Sequence, residues 1–208
     1  MFIFINDILF MVIIMLDKAI KIHEKTKDIE YGWFDKKGIK HNHISEGLAK
    51  NFSFQSCEEL EKSRVGICWE TVELDRKYLE EENIPCKSYF FMVPSRNFYC
   101  HSVLVFEDNN KFYWIENSFK KLVGIRSYNS LQELFNDVID NFHLISNNNT
   151  LDIRNMKIYE YTKPNNGIGC VQFYFHCFRG KNVTKKYIEK YLETIEDKNN
   201  KWYNNQYR

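Results

Sequence analysis

Two hydrophobic periods alternate along this chain, and the switches between them mark its elements. Residues 1–16, MFIFINDILFMVIIML, are apolar apart from Asn6 and Asp7. Residues 16–27 then take helical spacing, with Leu16, Ala19, Ile20 and His23 on one stripe. Residues 28–55 keep neither period: Gly32, Gly38 and Gly47 interrupt them, and His41 and His43 fall in a polar loop. Ser56, with Glu59 three residues on, reads as a capping box and predicts a short helix over Cys57–Lys62. Gly66 breaks the chain again before a longer helix from Cys68 to Glu82. Asn83-Ile84-Pro85 ends it, because the residue before a proline avoids the helical region.

Strand patterns follow at Lys87–Val93 (KSYFFMV), Cys100–Phe106 (CHSVLVF) and Phe112–Asn117 (FYWIEN). Asp108, Asn109 and Asn110 supply turn chemistry between the last two, which therefore form an antiparallel hairpin. Two registers are open. A two-residue turn places Glu107 opposite Asn110 and His101 opposite Glu116. A three-residue turn places Glu107 opposite Lys111 and His101 opposite Asn117. An amphipathic helix over 130–145, opened by Ser130, an Asn-rich loop at 146–150 and an extended segment at Met156–Tyr161 come next. Cys170–Phe178 is apolar and aromatic enough to suit either helix or strand. A charged helix from Val183 to Asp197 and a polar tail complete the pattern. No repeat or linker divides the chain. The expected organisation is a helical N-terminal segment, 1–27, and one α+β domain over 28–208.

Composition removes several function classes. With 208 residues, 44% of them hydrophobic, the chain can bury a full core without staples, so its six cysteines are expected as reduced thiols in a cytoplasmic protein. Twenty-nine basic side chains balance 28 acidic ones, and no basic cluster stands out, which argues against nucleic acid as a partner. No cysteine or histidine spacing fits a zinc site, so neither metal nor cofactor is expected. The N-terminal apolar run lacks the basic start and small-residue cleavage site of a signal peptide. It also falls short of the roughly 20 apolar residues of a membrane span. A buried or partner-facing helix, or a true start at Met11 or Met15, is expected instead.

Three residues carry candidate chemistry. Cys68 opens the longer helix, where unpaired N–H groups and the helix dipole favour a thiolate and can hold an oxyanion. Gly66 allows the sharp turn before it. His101 interrupts a strand of Val, Leu and Phe, where an imidazole needs a partner: a backbone carbonyl in a plain core, or the thiol of a nucleophile. Glu116 ends the following strand and can orient the imidazole and stabilise its cation. Asn117 takes that place in the other register.

The order Gly-x-Cys-Trp, a helix ending in Asn-Ile-Pro, a strand, His-Ser-Val-Leu-Val-Phe and Phe-Tyr-Trp-Ile-Glu resembles the transglutaminase-like, papain-related core over residues 56–120. Cys68-Trp69-Glu70, Trp114-Ile115-Glu116-Asn117-Ser118-Phe119 and Tyr161-Thr162-Lys163-Pro164 are similar to motifs of its bacterial and phage-type members. Glutamate departs from that family's usual aspartate. The resemblance implies a nucleophile helix packed on an antiparallel sheet, with a Cys68–His101–Glu116 triad. By the papain-like order it also implies an oxyanion role for Gln55, upstream of the cysteine. It implies thiol-dependent acyl transfer on a protein or peptide substrate, resolved by water in a peptidase or by an amine in a transglutaminase. No calcium loop is evident, against a calcium-activated enzyme. A non-catalytic interaction module on the same fold is the alternative. Trp69 is a candidate wall of the acyl site, and His176 and Cys177 are expected to be structural.

Overall fold

A computed structural model describes residues 3–44, 47–94, 99–142 and 151–206 of the chain. Helix α1 (Ile3–Thr26) leads into short strands β1 (Glu30–Tyr31), β2 (Trp33–Phe34) and β3 (Lys40–His41). Helices α2 (Leu48–Asn51) and α3 (Cys57–Ser63) and strand β4 (Val65–Gly66) precede α4 (Cys68–Glu81). The main strands are β5 (Cys86–Val93), β6 (Tyr99–Asp108), β7 (Lys111–Glu116) and β8 (Gly124–Tyr128). After α5 (Leu131–Asp140) come a 3-10 turn at Ile153–Asn155, β9 (Lys157–Tyr161), α6 (Cys170–Phe178), β10 (Lys181–Asn182) and α7 (Thr184–Gln206).

Six strands form one antiparallel sheet in the order β10-β9-β5-β6-β7-β8, making this an α+β protein. Side chains alternate between the faces of a strand, and here both faces are covered. Phe90, Met92, Leu104, Phe106, Tyr113 and Ile115 pack under α1, α4 and α6. Tyr89, Phe91, Val93, Val103, Val105 and Trp114 pack under α5 and α7. From Met15 onward α1 shares the first of these cores, so this part of the N-terminal segment is integral to the fold. Among the described residues, no helix is long and apolar enough to cross a membrane.

The local signals around α3 and α4 act as expected. Ser56 accepts from Glu59 N and Glu59 accepts from Ser56 N, closing the capping box of α3. α4 stops where Asn83 turns left-handed (φ 57°) and Ile84 N donates to Leu79 O at 2.8 Å, just before Pro85.

Elsewhere the structure departs from the pattern. Asn6 and Asp7 do not interrupt α1, and its buried face is centred on Ala19, Ile22, His23 and Thr26, leaving Ile20 44% exposed. Polar groups set that rotation, because Thr26 and His23 face polar partners below. Residues 28–55 are less irregular than expected. Trp33 is fully buried, stacks on His41 at 4.2 Å and donates from Nε1 to His43 O at 3.0 Å. α7 continues to Gln206, since neither glycine nor proline stops it. Cys170–Phe178 resolves as helix: Cys170, Phe173 and Cys177 form its buried stripe, and Gly169 N donates to Gln172 Oε1 at 2.7 Å. The expected loop at 146–150 and the last residues of the 130–145 helix lie outside the described residues.

Both expected hairpin registers are wrong by a residue or more. Asp108 pairs with Lys111 and Glu107 with Phe112, around a turn of Asn109 (φ 52°) and Asn110 (φ 58°). Asparagine tolerates the left-handed region that a two-residue hairpin loop demands at both positions, so the turn forms at Asn109-Asn110.

Gly180 tests the packing of α6 against the sheet. A Cβ there would press on two backbone oxygens, those of Glu160 in β9 and, at 2.9 Å, of Cys177 in α6. Gly180→Ala is expected to lower stability by about 1–3 kcal/mol in urea unfolding. An unchanged midpoint would show that the α6–β9 junction is loose.

Candidate active site

Cys68 is the first residue of α4 and only 6% exposed. A buried carboxylate fixes its approach: Ile67 N donates to Glu70 Oε2 at 3.1 Å, and Gln55 N donates to Glu70 Oε1 at 2.9 Å. The Gln55 side chain completes the brace, donating from Nε2 to Val65 O at 2.9 Å and to Glu70 Oε1 at 3.2 Å, while its oxygen accepts from Ser63 Oγ. Its amide is thus engaged in the α3–α4 loop, and the oxyanion role drawn for Gln55 does not hold in this arrangement. Burial raises the Glu70 carboxyl to about 7 against the opposing pull of the Gln55 and Ile67 donors.

His101 lies past the end of a ladder. The β6–β7 pairing stops at Leu104–Ile115, whereas His101 pairs only on its other side, with Phe91 of β5. No rung therefore joins His101 to β7. His101 Nε2 nevertheless donates to Glu116 Oε2 at 2.6 Å, with both side chains buried. The second Glu116 oxygen accepts from Ser118 N at 2.7 Å and Phe119 N at 2.8 Å. Burial works against both charges. For His101 it is outweighed by the charge and hydrogen bond of Glu116, with Cys68 adding to the effect, so the imidazole is held above its ordinary value. For Glu116 burial is outweighed by the His101 charge and hydrogen bond and the two N–H donors, so the carboxyl is held below its ordinary value. Both shifts favour the ionised pair. With Nε2 on Glu116, Nδ1 is the ring nitrogen left for Cys68.

Asn117 turns away from His101. Its Nδ2 donates to Asp75 Oδ2 at 2.6 Å and to Thr26 Oγ1 at 3.0 Å, tying α4 to α1 behind the pair. Burial, reinforced by the charge of Glu116, raises Asp75 to about 8, while hydrogen bonds from Thr26 and Asn117 oppose the shift. Burial also lowers His23, with Asn117 nearby opposing the shift. Asp75 Oδ1, Asn117 Oδ1 and His23 Nδ1 are buried with no hydrogen-bond partner among the described residues, so a proton on Asp75 adds a donor to a cluster holding unpaired acceptors.

Among the neighbours of Cys68 and Trp69, Tyr31 and Tyr174 had no distinct sequence signal. Trp69 stacks on Phe173 of α6 at 4.4 Å and meets Phe52 and Tyr174 edge-on at 5.5 Å. Cys100 Sγ lies 3.3 Å from Tyr174 Oη. Tyr31, on β1, packs against the same cluster. Glu70 could have been foreseen as an acid three residues after an N-cap, but Ile67 hides the usual Ser/Thr cue. His176 Nε2 donates to Thr162 O at 2.7 Å, and Cys177 is buried in the core. All six cysteines are free, and burial pushes up Cys57, Cys86, Cys100, Cys170 and Cys177. Among the described residues, no group of three or more His, Cys, Asp or Glu could hold a metal ion. No protein-family model matches the chain, and no curated protein matches it.

Asp75 gives a pH signature. Its folded pKa, about 8, lies above the unfolded value, so stability falls as pH rises between the two, by at most about 1.4 kcal/mol per pH unit. Asp75→Asn removes the titration and keeps an oxygen for Asn117. Relative to the parent, the variant's urea midpoint is expected to rise from about pH 5 to about pH 8. A pH-independent difference would show that Asp75 is already ionised in the fold.

Proposed function

We propose that the protein is a thiol-dependent acyl-transfer enzyme of transglutaminase-like type, with Cys68 as nucleophile, His101 as base and Glu116 as orienting acid. The observation that carries this is the buried His101–Glu116 ion pair at 2.6 Å, with Cys68 at the start of α4 among the groups that act on the same ring. A core histidine needs only a carbonyl. A fully ionised imidazole–carboxylate pair beside a helix-opening thiol suits a stored thiolate–imidazolium.

The reaction follows from these positions. The thiol proton already rests on the His101 ring, and the Cys68 thiolate attacks the carbonyl of an amide in a protein or peptide. As the tetrahedral intermediate collapses, the imidazolium returns the proton to the leaving amine and a thioester forms on Cys68. Water or a second amine then releases the acyl group, with His101 removing its proton. Glu116 stays ionised throughout and holds the ring for both transfers. The order of cysteine on a helix start, histidine on a strand and acid on the next strand supports the family assignment. An interaction module with a vestigial triad is the second reading, favoured by the burial of Cys68.

Alkylation by iodoacetamide, mapped by mass spectrometry, separates the two. Cys68 is expected to react first among the six thiols near neutral pH, because burial disfavours the thiolate of the other five. Glu116→Gln keeps the shape and removes the charge, and should slow alkylation at least tenfold, a ratio equal to one pKa unit. Asn117→Ala should change the rate far less. Equal reactivity of Cys68 and the other cysteines, indifferent to Glu116, would leave the interaction module as the better account.

A further inference from the structure

An acyl-transfer site must bind the oxyanion of its tetrahedral intermediate, and Gln55 is committed elsewhere. The Cys68 backbone N–H, in the first turn of α4, has no acceptor inside the helix and supplies one donor. The second is sought among groups that reach the thiol.

The segment around β1 lies alongside the entry to α4. Glu30 N donates to Arg64 O at 2.8 Å and Gly32 N donates to Gly66 O at 3.2 Å. β1 and β4 run parallel, with Tyr31 opposite Gly66, two residues before Cys68. The approach is close: a Cβ on Gly32 would lie 2.9 Å from His41 O and from Val65 Cγ1. Tyr31 packs against the cluster that contains Cys68 and Trp69. Burial, reinforced by Cys68, Cys100 and Glu116 nearby, holds the phenol well above its ordinary value and keeps it protonated. No hydrogen-bond partner of its hydroxyl is found among the described residues. The result is an O–H donor with no hydrogen-bond partner among the described residues, brought to the entry of α4 by backbone pairing from a remote part of the sequence.

Resting on the acyl-transfer reading above, we infer that Tyr31 is a catalytic residue whose hydroxyl donates to the oxyanion opposite the Cys68 backbone N–H. The thiolate adds to the substrate carbonyl, the carbonyl π pair moves onto oxygen, and Tyr31 stabilises that charge until the leaving group departs with its bonding pair.

Two reagents isolate this role in the full chain. p-Nitrophenyl acetate acylates the thiolate through an oxyanion: the C–S bond forms, the C–O bond breaks and p-nitrophenolate leaves. Iodoacetamide alkylates by displacing iodide from a saturated carbon, with no oxyanion. Tyr31→Phe is expected to slow acylation of Cys68 about 100-fold and to leave its alkylation within about twofold. The unchanged alkylation also reports an intact site. Acylation independent of Tyr31, or equal slowing of both reactions, would overturn the inference, the second by showing that Tyr31 acts on the thiol itself. Wild-type Cys68 that alkylates no faster than the other cysteines would overturn the triad first, and this assignment with it.

Discussion

The ion pair of His101 and Glu116 sets the terms for the structure around it. Taking both charges out of water costs several kcal/mol per ion, and mutual attraction offsets this only where the remaining hydrogen-bonding capacity is also met. Glu116 meets that condition with three bonds: His101 on one oxygen, and Ser118 N and Phe119 N on the other. Those two backbone donors exist because β7 ends at Glu116 and the chain turns. The β6–β7 ladder must therefore stop short of the histidine, and it does so at Leu104–Ile115. The end of pairing opens the place where α4 can present its first residue.

α4 concentrates the same problem. Glu70, Glu73, Asp75 and Arg76 are all buried on it, and each is handled differently. Glu70 ties Gln55 to the helix cap beside Cys68. Glu73 and Arg76 pair at 2.9 Å, with Arg76 also donating to Ser88 Oγ on β5. Asp75 joins Asn117 and Thr26, anchoring α1. Burial raises both Glu70 and Glu73 to about 7 and Asp75 to about 8, so this side of the site carries less negative charge than its carboxyl count implies. A neutral Asp75 behind Glu116 spares the pair a second buried anion.

Local chemistry was legible in the sequence and long-range polar matching was not. The capping box at Ser56, the stop at Asn83-Ile84-Pro85, the Cys68 helix and the three central strands depend on neighbours a few residues away. The hairpin register failed because Asp108, Asn109 and Asn110 are all turn formers, and only left-handed tolerance at both central positions selects Asn109-Asn110. His101 and Glu116 still meet, because that contact forms beyond the ladder and no register argument governs it. Ile20 was misplaced because apolarity alone ranked it above Thr26, whose inward face depends on Asn117, 91 residues away. Gln55 and Tyr31 show the same limit: one was drawn to the site by its order in the chain, while the other is brought to the entry of α4 only through the pairing of β1 with β4.

The charge state of the His101 ring is the most direct measure of this account, and nitrogen NMR of the labelled imidazole reads it. If the pair is ionised as its burial and bonds require, both ring nitrogens stay protonated through neutral pH, and the ring loses its proton only well above the ordinary histidine range. The same spectrum in Glu116→Gln should show deprotonation moving back toward that range. A wild-type ring that is neutral at neutral pH, or that titrates identically without the Glu116 charge, would contradict the central claim.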